Sequence, residues 1–408
     1  MRILVFSQHF WPESFHINDV ARRLHVAGHE VEVLTGQPNY PEGQVFAGYR
    51  AFACGREDWD GIPIHRVPLV PRGSASAPRL VANYLSFIAS SATFGAWRLR
   101  GRRFDVVLVY ATSPLLQAIG AWAIAGLKGA ALVTWVQDLW PQSLQATGYV
   151  RRPAVLAAVA QVCRWIYARQ TLVLVPSPAF EVPVRALAPA ALPVHYHPNA
   201  SDDSSGTAHD QGPVLHLGAG FNIVFAGNLG TAQALETVID AAALLADLPE
   251  VRFVLVGSGQ RDAWLRSQVR DRALSNVQLA GRFVPDAMPA IYAQAQALLV
   301  TLRRDAAMAL TVPSKVQSYL AAGRPVLAAI EGEGARLVAQ AGAGIVCAAE
   351  DAKALAEAVR QLYALPADER ARMGRAGRAH HDQHFTAARL TPRLVAHLEQ
   401  AVLALRRK

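Results

Sequence analysis

Short apolar runs and helically spaced apolar positions alternate along this chain with little interruption. The first run, ILVFS from Ile3 to Ser7, is continuous, as a strand buried on both faces requires. Ile17, Val20, Ala21, Leu24 and Ala27 then recur at helical spacing, Gly28 stops the helix, and VEVLT from Val31 to Thr35 is the next strand. Such a unit implies a right-handed crossover between parallel strands. The alternation continues through IPIHRVP at Ile62, a long helical region from Leu80 to Arg100, DVVLVYA at Asp105 and a helix after Pro114. ALVTWVQD ending at Asp138, a helix from Val155 to Arg169 and TLVLVPS at Thr171 complete the first series. Residues 201–218 are polar and glycine-rich without periodicity, and read as a linker. A second series runs through FNIVFAG at Phe221, VRFVLVG at Val251, VQLAG at Val277, ALLVTL at Ala297, RPVLAAI at Arg324 and GIVCA at Gly344, then ends in helices from Asp351 onward. The pattern predicts an α/β protein of two Rossmann-like, doubly wound domains, residues 1–200 and 219–385, facing a central cleft. A helix over residues 386–408 is expected to pack back on the first domain. Ligands are expected at the carboxyl ends of the strands.

Composition agrees with two cores, because 408 residues with 52% hydrophobic side chains exceed what one ordinary core organises. Cys54, Cys163 and Cys347 are too far apart for a disulfide framework or a paired metal motif, and point to a reducing compartment. The opening MRILVFSQHF reaches polar residues by Ser7 and lacks a small-residue cleavage site, so it reads as a strand rather than a targeting segment. The longest uncharged stretch, Val106 to Leu127, has the length of a membrane span, but Thr112-Ser113-Pro114 splits it into strand and helix. No transmembrane helix is expected. The net charge of +9 suggests an anionic partner, whether nucleic acid, a phosphorylated metabolite or a lipid surface. Residues 1–200 hold most of that surplus, with 18 Lys and Arg against 11 Asp and Glu.

Candidate chemistry gathers where strands end. AGNLG, Ala226 to Gly230, is followed by a helix carrying Leu235, Val238 and Ile239; it is either an anion cradle at a helix start or a plain tight turn. After the strand ending at Gly281 come Arg282 and Phe283, suited to a planar base or to packing of the ring in the core. In LTVPSKVQSYLAAGRPVLA, Pro313 and Ser314 start a helix with Ser314 as N-cap, and Lys315 sits in the first turn. A cation there opposes the helix dipole unless something negative lies nearby, which points to a phosphate. In the first half the corresponding turns are His9–Asp19, Thr35–Gly43, Tyr110–Pro114 and Trp135–Ser143. Asp138 is suited to orient or deprotonate a hydroxyl, or to cap the next helix. His380, His381 and His384 read as a solvated helix face. No metal spacing, GKS/GKT phosphate loop or Gly-x-Ser-x-Gly elbow occurs.

The segments SQHFWPESFHIND, HEVEVLTGQPNYPEG, VQDLWPQS, FAGNLGTAQALETVIDAA and VPSKVQSYLAAGRPVLA, in that order, resemble the GT-B glycosyltransferases of family 4 across essentially the whole chain. Within that family they look like the bacterial subgroup of L-fucosamine transferases of O-antigen synthesis and colanic-acid transferases. The resemblance implies retaining transfer of a HexNAc or 6-deoxy-HexNAc from a UDP-sugar to a polyprenyl-diphosphate-linked saccharide, with no metal, no cofactor and no nucleic acid. It places Gly227, Asn228 and Gly230 at the diphosphate, Arg282 and Phe283 at the base, and Ser314 and Lys315 at phosphate. Glu13, Ser14 and Phe15 are further expected donor contacts, and Asn39 and Tyr40 acceptor contacts. The chain departs from the broader family where two glutamates are usual: Leu310 and Ser318 occupy those positions. Asn228 and Gln233 replace a basic pair, leaving charge compensation to Lys315 and Arg304. Asp138 is expected on the acceptor side. The apolar stretch Leu80 to Trp97, with Leu85, Phe87, Ile88 and Phe94, runs into Arg98, Arg100, Arg102 and Arg103 and suits an anionic membrane surface. Residues 150–169 offer a second contact. The implied location is cytoplasmic, on the inner face of the plasma membrane. A nucleotide-sugar epimerase or hydrolase, or a non-catalytic assembly protein, is the alternative.

Overall fold

The computed structural model describes residues 1–73, 76–146, 150, 152–201 and 215–407. Most of the stretch read as a linker, 202–214, lies outside the described residues. The chain divides into two units, Met1–Asn199 with Leu390–Lys408, and Ala200–Arg389.

In the first unit the strands are β1 (Arg2–Phe6), β2 (Glu30–Gly36), β3 (Gly55–Trp59), β4 (Ile62–Val67), β5 (Val106–Ala111), β6 (Ala131–Val136), β7 (Leu172–Val175) and β8 (Val194–Tyr196). They form one sheet in the order β3-β4-β2-β1-β5-β6-β7-β8, parallel except for the edge pair β3 and β4. The all-apolar strands are central because helices cover both sheet faces. Ile3 and Val5 face a cluster with Ile17 and Leu24 of the helix His16–Val26, while Phe6 on the other face meets Phe87 at 5.5 Å. The helix Ala387–Arg406 completes the first cluster with Leu394, Leu398, Ala401 and Val402.

The pattern of apolar runs does not reveal β3 and β8. The sequence of β3, GREDW, is charged, yet Glu57 pairs with the buried Arg66 of β4, so an edge strand gains from carrying a carboxylate. At three residues β8 is too short for periodicity to register. The region from Leu80 to Arg100 is also not one regular helix: Ala77–Ser90 is α-helical, Ser91–Gly95 forms a π-helical turn, and Ala96–Arg98 resumes.

The second unit has β9 (Phe221–Ala226), β10 (Val251–Val256), β11 (Val277–Gly281), β12 (Ala297–Thr301), β13 (Val326–Ala329) and β14 (Gly344–Cys347). Their order is β11-β10-β9-β12-β13-β14, all parallel. Phe221, Ile223 and Phe225 pack with the helices Leu235–Leu244 and Ala352–Ala364, and Val224 and Ala226 with the helix Ser314–Ala322. His381 departs from the solvated face read from the sequence: it is buried, with Nδ1 3.1 Å from Asp382 and Nε2 2.7 Å from the Ser201 carbonyl. Its two neighbours in that set, His380 and His384, are more accessible.

Candidate active site

In the second unit the glycine turn after β9 and the start of the helix Ser314–Ala322 converge on one amine. Lys315 Nζ donates to Gln233 Oε1 at 2.5 Å and stands 3.9 Å from the centroid of the Phe225 ring. No carboxylate pairs with it among the described residues. Burial pulls its pKa from 10.5 down to about 7, because the charged form is desolvated without a counter-ion. Gly227 makes room for it: φ is +132°, and a Cβ there would lie 2.6 Å from Lys315 Cε. We expect Gly227→Ala to move the amine off the turn and strain the backbone, lowering donor affinity at least tenfold and the melting temperature by a few degrees, as read by calorimetry and thermal unfolding.

The neighbouring turn went unread in the sequence. Gly257 and Gly259, in VGSG after β10, pack against the Gly227 turn so closely that Cβ atoms there would lie 1.8 Å from the Gly227 carbonyl oxygen and 2.5 Å from that of Leu229. Leu229 N donates to the Ser258 carbonyl at 3.0 Å, and Gly257 N to that of Gly281 at 2.7 Å. A G-x-G directly after a strand was the available signal. Tyr319, also unread, accepts the Ala226 N–H at 2.9 Å and ties the end of β9 to the helix that carries Lys315.

Three details differ from the sequence reading. Pro313 is the N-cap; Ser314 is the first helical residue, exposed, and no side chain caps this helix, so its first amides stay available. Arg304 is engaged elsewhere, with Nε 3.1 Å from Glu331. Arg303 is the arginine beside the Gln233 turn, its N–H donating to the Ala232 carbonyl at 3.0 Å, and it shares Glu236 with Arg261. Of the rest, Asn228 is exposed at the turn, Gly230 is buried, and Ser318 stands one helical turn beyond Ser314 and Lys315. Arg282 is exposed, and Phe283 is half-buried against the cluster that contains Ile291 and Tyr319.

In the first unit, turns after β1, β2, β4, β5 and β6 enclose a cavity of about 520 Å³. Its wall is largely apolar, with Leu80, Leu85, Leu116, Trp140 and Val159, and its polar members include His9, Arg72, Thr112 and Asp138. Phe15 and Tyr40 also line it; Arg72 stacks over the Tyr40 ring at 5.1 Å and makes no ion pair among the described residues. Glu13 is turned into the protein and not toward an open site. Its Oε1 accepts the backbone N–H groups of Asn39 and Tyr40, both at 2.7 Å, and its carboxylate faces His9 Nδ1 at 3.0 Å. Asn39 is likewise fully buried and structural, donating to the Gln37 carbonyl at 2.9 Å and accepting Arg72 N–H at 3.1 Å. Ser14 is exposed.

On the helices of this unit, Trp97 is 54% exposed beneath the Arg100 guanidinium at 4.6 Å, and Leu85 and Phe94 are also exposed. Phe87 is turned inward, and Arg102 pairs with Glu32 at 3.0 Å. Arg103 is exposed and Arg98 half-buried. Trp122 and Trp165 meet edge to face at 5.1 Å with Arg169 over Trp165 at 3.8 Å. Among the described residues no helix is long and apolar enough to cross a membrane, and no group of three His, Cys, Asp or Glu side chains is placed to hold a metal ion.

Two α/β units with mainly parallel sheets, one with a glycine turn against a half-buried lysine, define a two-unit class of α/β protein, and comparison with known proteins narrows it. Residues 14–200 match the family described as glycosyl transferase 4-like domain, and residues 220–364 the family described as glycosyl transferases group 1. The chain belongs to these glycosyltransferases, and its fold class is GT-B. It is 29% identical over 386 residues to a protein of Escherichia coli (strain K12) that bears the name colanic acid biosynthesis glycosyl transferase WcaI, covering 90% of this chain and 93% of that one. Among solved structures it is similar to sucrose-phosphate synthase from Thermosynechococcus elongatus, with TM-score 0.71, 17% identity and coverage of 99% and 100%. It is also similar to Anabaena HepE, solved in complex with UDP, with TM-score 0.67, 16% identity and coverage of 98% and 100%.

Proposed function

We propose that this glycosyltransferase moves a HexNAc or 6-deoxy-HexNAc from a UDP-sugar, with retention and without a metal, to a polyprenyl-diphosphate-linked saccharide in bacterial surface polysaccharide synthesis. The observation that carries the reading is Lys315: a largely desolvated amine without a carboxylate partner among the described residues, held at a glycine turn beside an uncapped helix start, is matched to an anion that arrives with the substrate. The diphosphate of the donor is that anion. As the anomeric bond breaks, the diphosphate leaves with the electron pair, and Lys315 with the amides of the Gly227 turn stabilises the growing charge. Arg282 and Phe283 stand at the base, and Ser318 takes the place of a carboxylate contact to the donor. Asp138 orients the acceptor hydroxyl for attack on the same face.

Further support comes from HepE, whose structure holds UDP, and from WcaI, whose name places it in colanic acid synthesis. The largely apolar cavity around Asp138 suits an acceptor whose short saccharide is joined to a lipid. The exposed Leu85, Phe94 and Trp97 beside arginines suit the inner face of the plasma membrane, where such lipids reside.

The test is a thermal-shift screen of UDP-sugars, then radiolabel transfer onto polyprenyl-diphosphate saccharides, with the anomeric configuration read by NMR. Expected are stabilisation by one UDP-sugar and a lipid-linked product with retained configuration. Free sugar released equally without acceptor would make the chain a hydrolase. On vesicles, Trp97→Ala with Arg100→Ala and Arg103→Ala should weaken sedimentation with anionic lipid several-fold and leave UDP affinity unchanged.

A further inference from the structure

The helices beside the first unit's cavity are built unlike an ordinary protein surface. The helix Pro153–Tyr167 carries no charge from Pro153 to Cys163, and its exposed positions there include Ala154, Val155, Ala157, Ala158 and Val162. A helix at a water-facing surface normally turns charged residues outward. On the helix Ala77–Ser90, Val81 and Leu85 are likewise exposed, as is Trp122 on the helix Ala118–Lys128. No Asp or Glu occurs from Gly61 to Phe104, and Asp138 is the one acid from Val106 to Phe180. The same helices form the apolar wall of the cavity of about 520 Å³: Leu80, Val81 and Leu85 come from one face of Ala77–Ser90, and Val155 and Val159 from Pro153–Tyr167. Val162, one turn beyond Val159, lines a more open groove of about 430 Å³ with Ile119 and Trp165. Because Val155, Val159 and Val162 follow the spacing i, i+4, i+7, a single apolar stripe leads from the cavity to the groove. There Trp122 meets Trp165 edge to face at 5.1 Å. The cavity's polar atoms come instead from the turns, among them Arg72, which makes no ion pair among the described residues.

We propose that this stripe binds the isoprenoid chain of the lipid-linked acceptor: its first units fill the cavity, and its continuation lies along Val155, Val159 and Val162 toward Trp165. In this site, which rests on the transferase reading above, the lipid is recognised as a chain and not only as a surface. The charge distribution selects an occupant with an anionic head, since Arg72 is the cation of the cavity wall and the helix layer is almost free of acids. The lining selects an apolar body, since a soluble protein partner would require the polar rim that Pro153–Cys163 lacks. Two openings joined along one helix suit a long flexible ligand better than a compact one. Branched, unsaturated units fit between valine, leucine and tryptophan side chains more closely than a straight alkyl chain does. Each isoprene unit taken from water adds affinity until the stripe ends, so dependence on chain length is steep and then flat, whereas partition into a bilayer keeps rising with length.

The experiment offers the full chain one saccharide diphosphate joined to about one, about four or about ten isoprene units, in a fixed neutral detergent. In parallel, tryptophan fluorescence reads binding of the saccharide-free polyprenyl phosphates of the same lengths. Both kcat/KM and affinity should rise at least tenfold from about one to about four units and change by less than about twofold beyond. Val159→Asp, with UDP binding and thermal unfolding as controls of its fold, should cut that rise to about twofold or less. Val182→Asp, an exposed position outside both linings, should leave the rise intact. If Val159→Asp does not fold, Leu85→Gln takes its place with the same expected loss. Equal binding of all chain lengths, a rise that continues to about ten units, equally tight binding of a straight alkyl phosphate of matched carbon number, or a rise preserved in the folded variant would each overturn the site. Wild-type protein that transfers to no acceptor defeats the transferase reading itself; the binding measurements need no transfer, so a flat length dependence there overturns the chain site separately.

Discussion

Lys315→Met should bind UDP roughly ten- to a hundredfold more weakly than wild type and lose about a hundred- to a thousandfold in kcat/KM, while melting at a higher temperature. All three follow from one side chain. In the free protein the amine has Gln233 and the Phe225 ring for company and no counter-ion among the described residues, so desolvation opposes its charge. Methionine fills similar space without a charge to desolvate, and the fold gains a few degrees. The sign with pH follows from a folded-state pKa of about 7 against 10.5 in the unfolded chain. Between those values the unfolded chain binds more protons, so this group makes stability rise with pH across that window, a rise that Lys315→Met removes. A diphosphate favours the charged amine, so donor binding takes up a proton above pH 7, and UDP affinity falls toward tenfold per pH unit there. Calorimetry in buffers of different ionisation enthalpy measures that uptake. A Lys315→Met variant that binds UDP like wild type would sink the assignment of the amine to the diphosphate.

Leu398→Ala should cost about 2–5 kcal/mol and lower the melting temperature of the first unit by about 5–15 °C. Leu398 is fully buried with Ile3, Val31 and Ile62, although almost two hundred residues of the other unit intervene in the chain. Removing the whole helix Ala387–Arg406 should leave residues 1–199 with an open hydrophobic face and an aggregating product. The same helix brings His397 against His195, stacked at 5.1 Å, and His197, edge-on at 5.6 Å. Burial first, and then neighbouring charge including Arg393, lowers His197 to about 3 and His397 to about 4. Both fold in the neutral form, so their stabilisation is complete above the ordinary histidine value near 6.5 and is lost as pH falls toward 3–4. Circular dichroism on acid titration should show early loss of the first unit, and His397→Leu should blunt it.

Much of this was legible because parallel strands covered on both faces must be apolar throughout. That rule marks β1, β5, β6, β9 and β12 as continuous runs, and Gly28 and Gly323 as helix ends. It fails for β3, whose charged residues are explained only by Arg66 on the neighbouring strand, and for β8, whose three residues are too few for a period to register. At the candidate sites the sequence offered residue types at strand ends but no directions. Lys315 was legible because a cation in a first helical turn conflicts with the dipole. His9 was not, since a histidine and a glutamate four apart in a loop imply no pairing until the Asn39 and Tyr40 amides fix the carboxylate. The inward turn of Glu13, the engagement of Arg304 by Glu331 and the burial of His381 are likewise decided by partners distant in the chain.

By itself, then, the sequence determined the two α/β units, their strand-end turns and the lysine that conflicts with its helix, because periodicity and local electrostatics act within a few residues. Which polar atoms face a cavity, which are consumed by the fold and which stay unpaired was decided by tertiary structure alone. Hydrogen bonds and desolvation depend on what the folded chain brings within about 3–4 Å, and for His9, Glu13 and Lys315 those neighbours lie up to 90 residues away, the separation of Phe225 from Lys315.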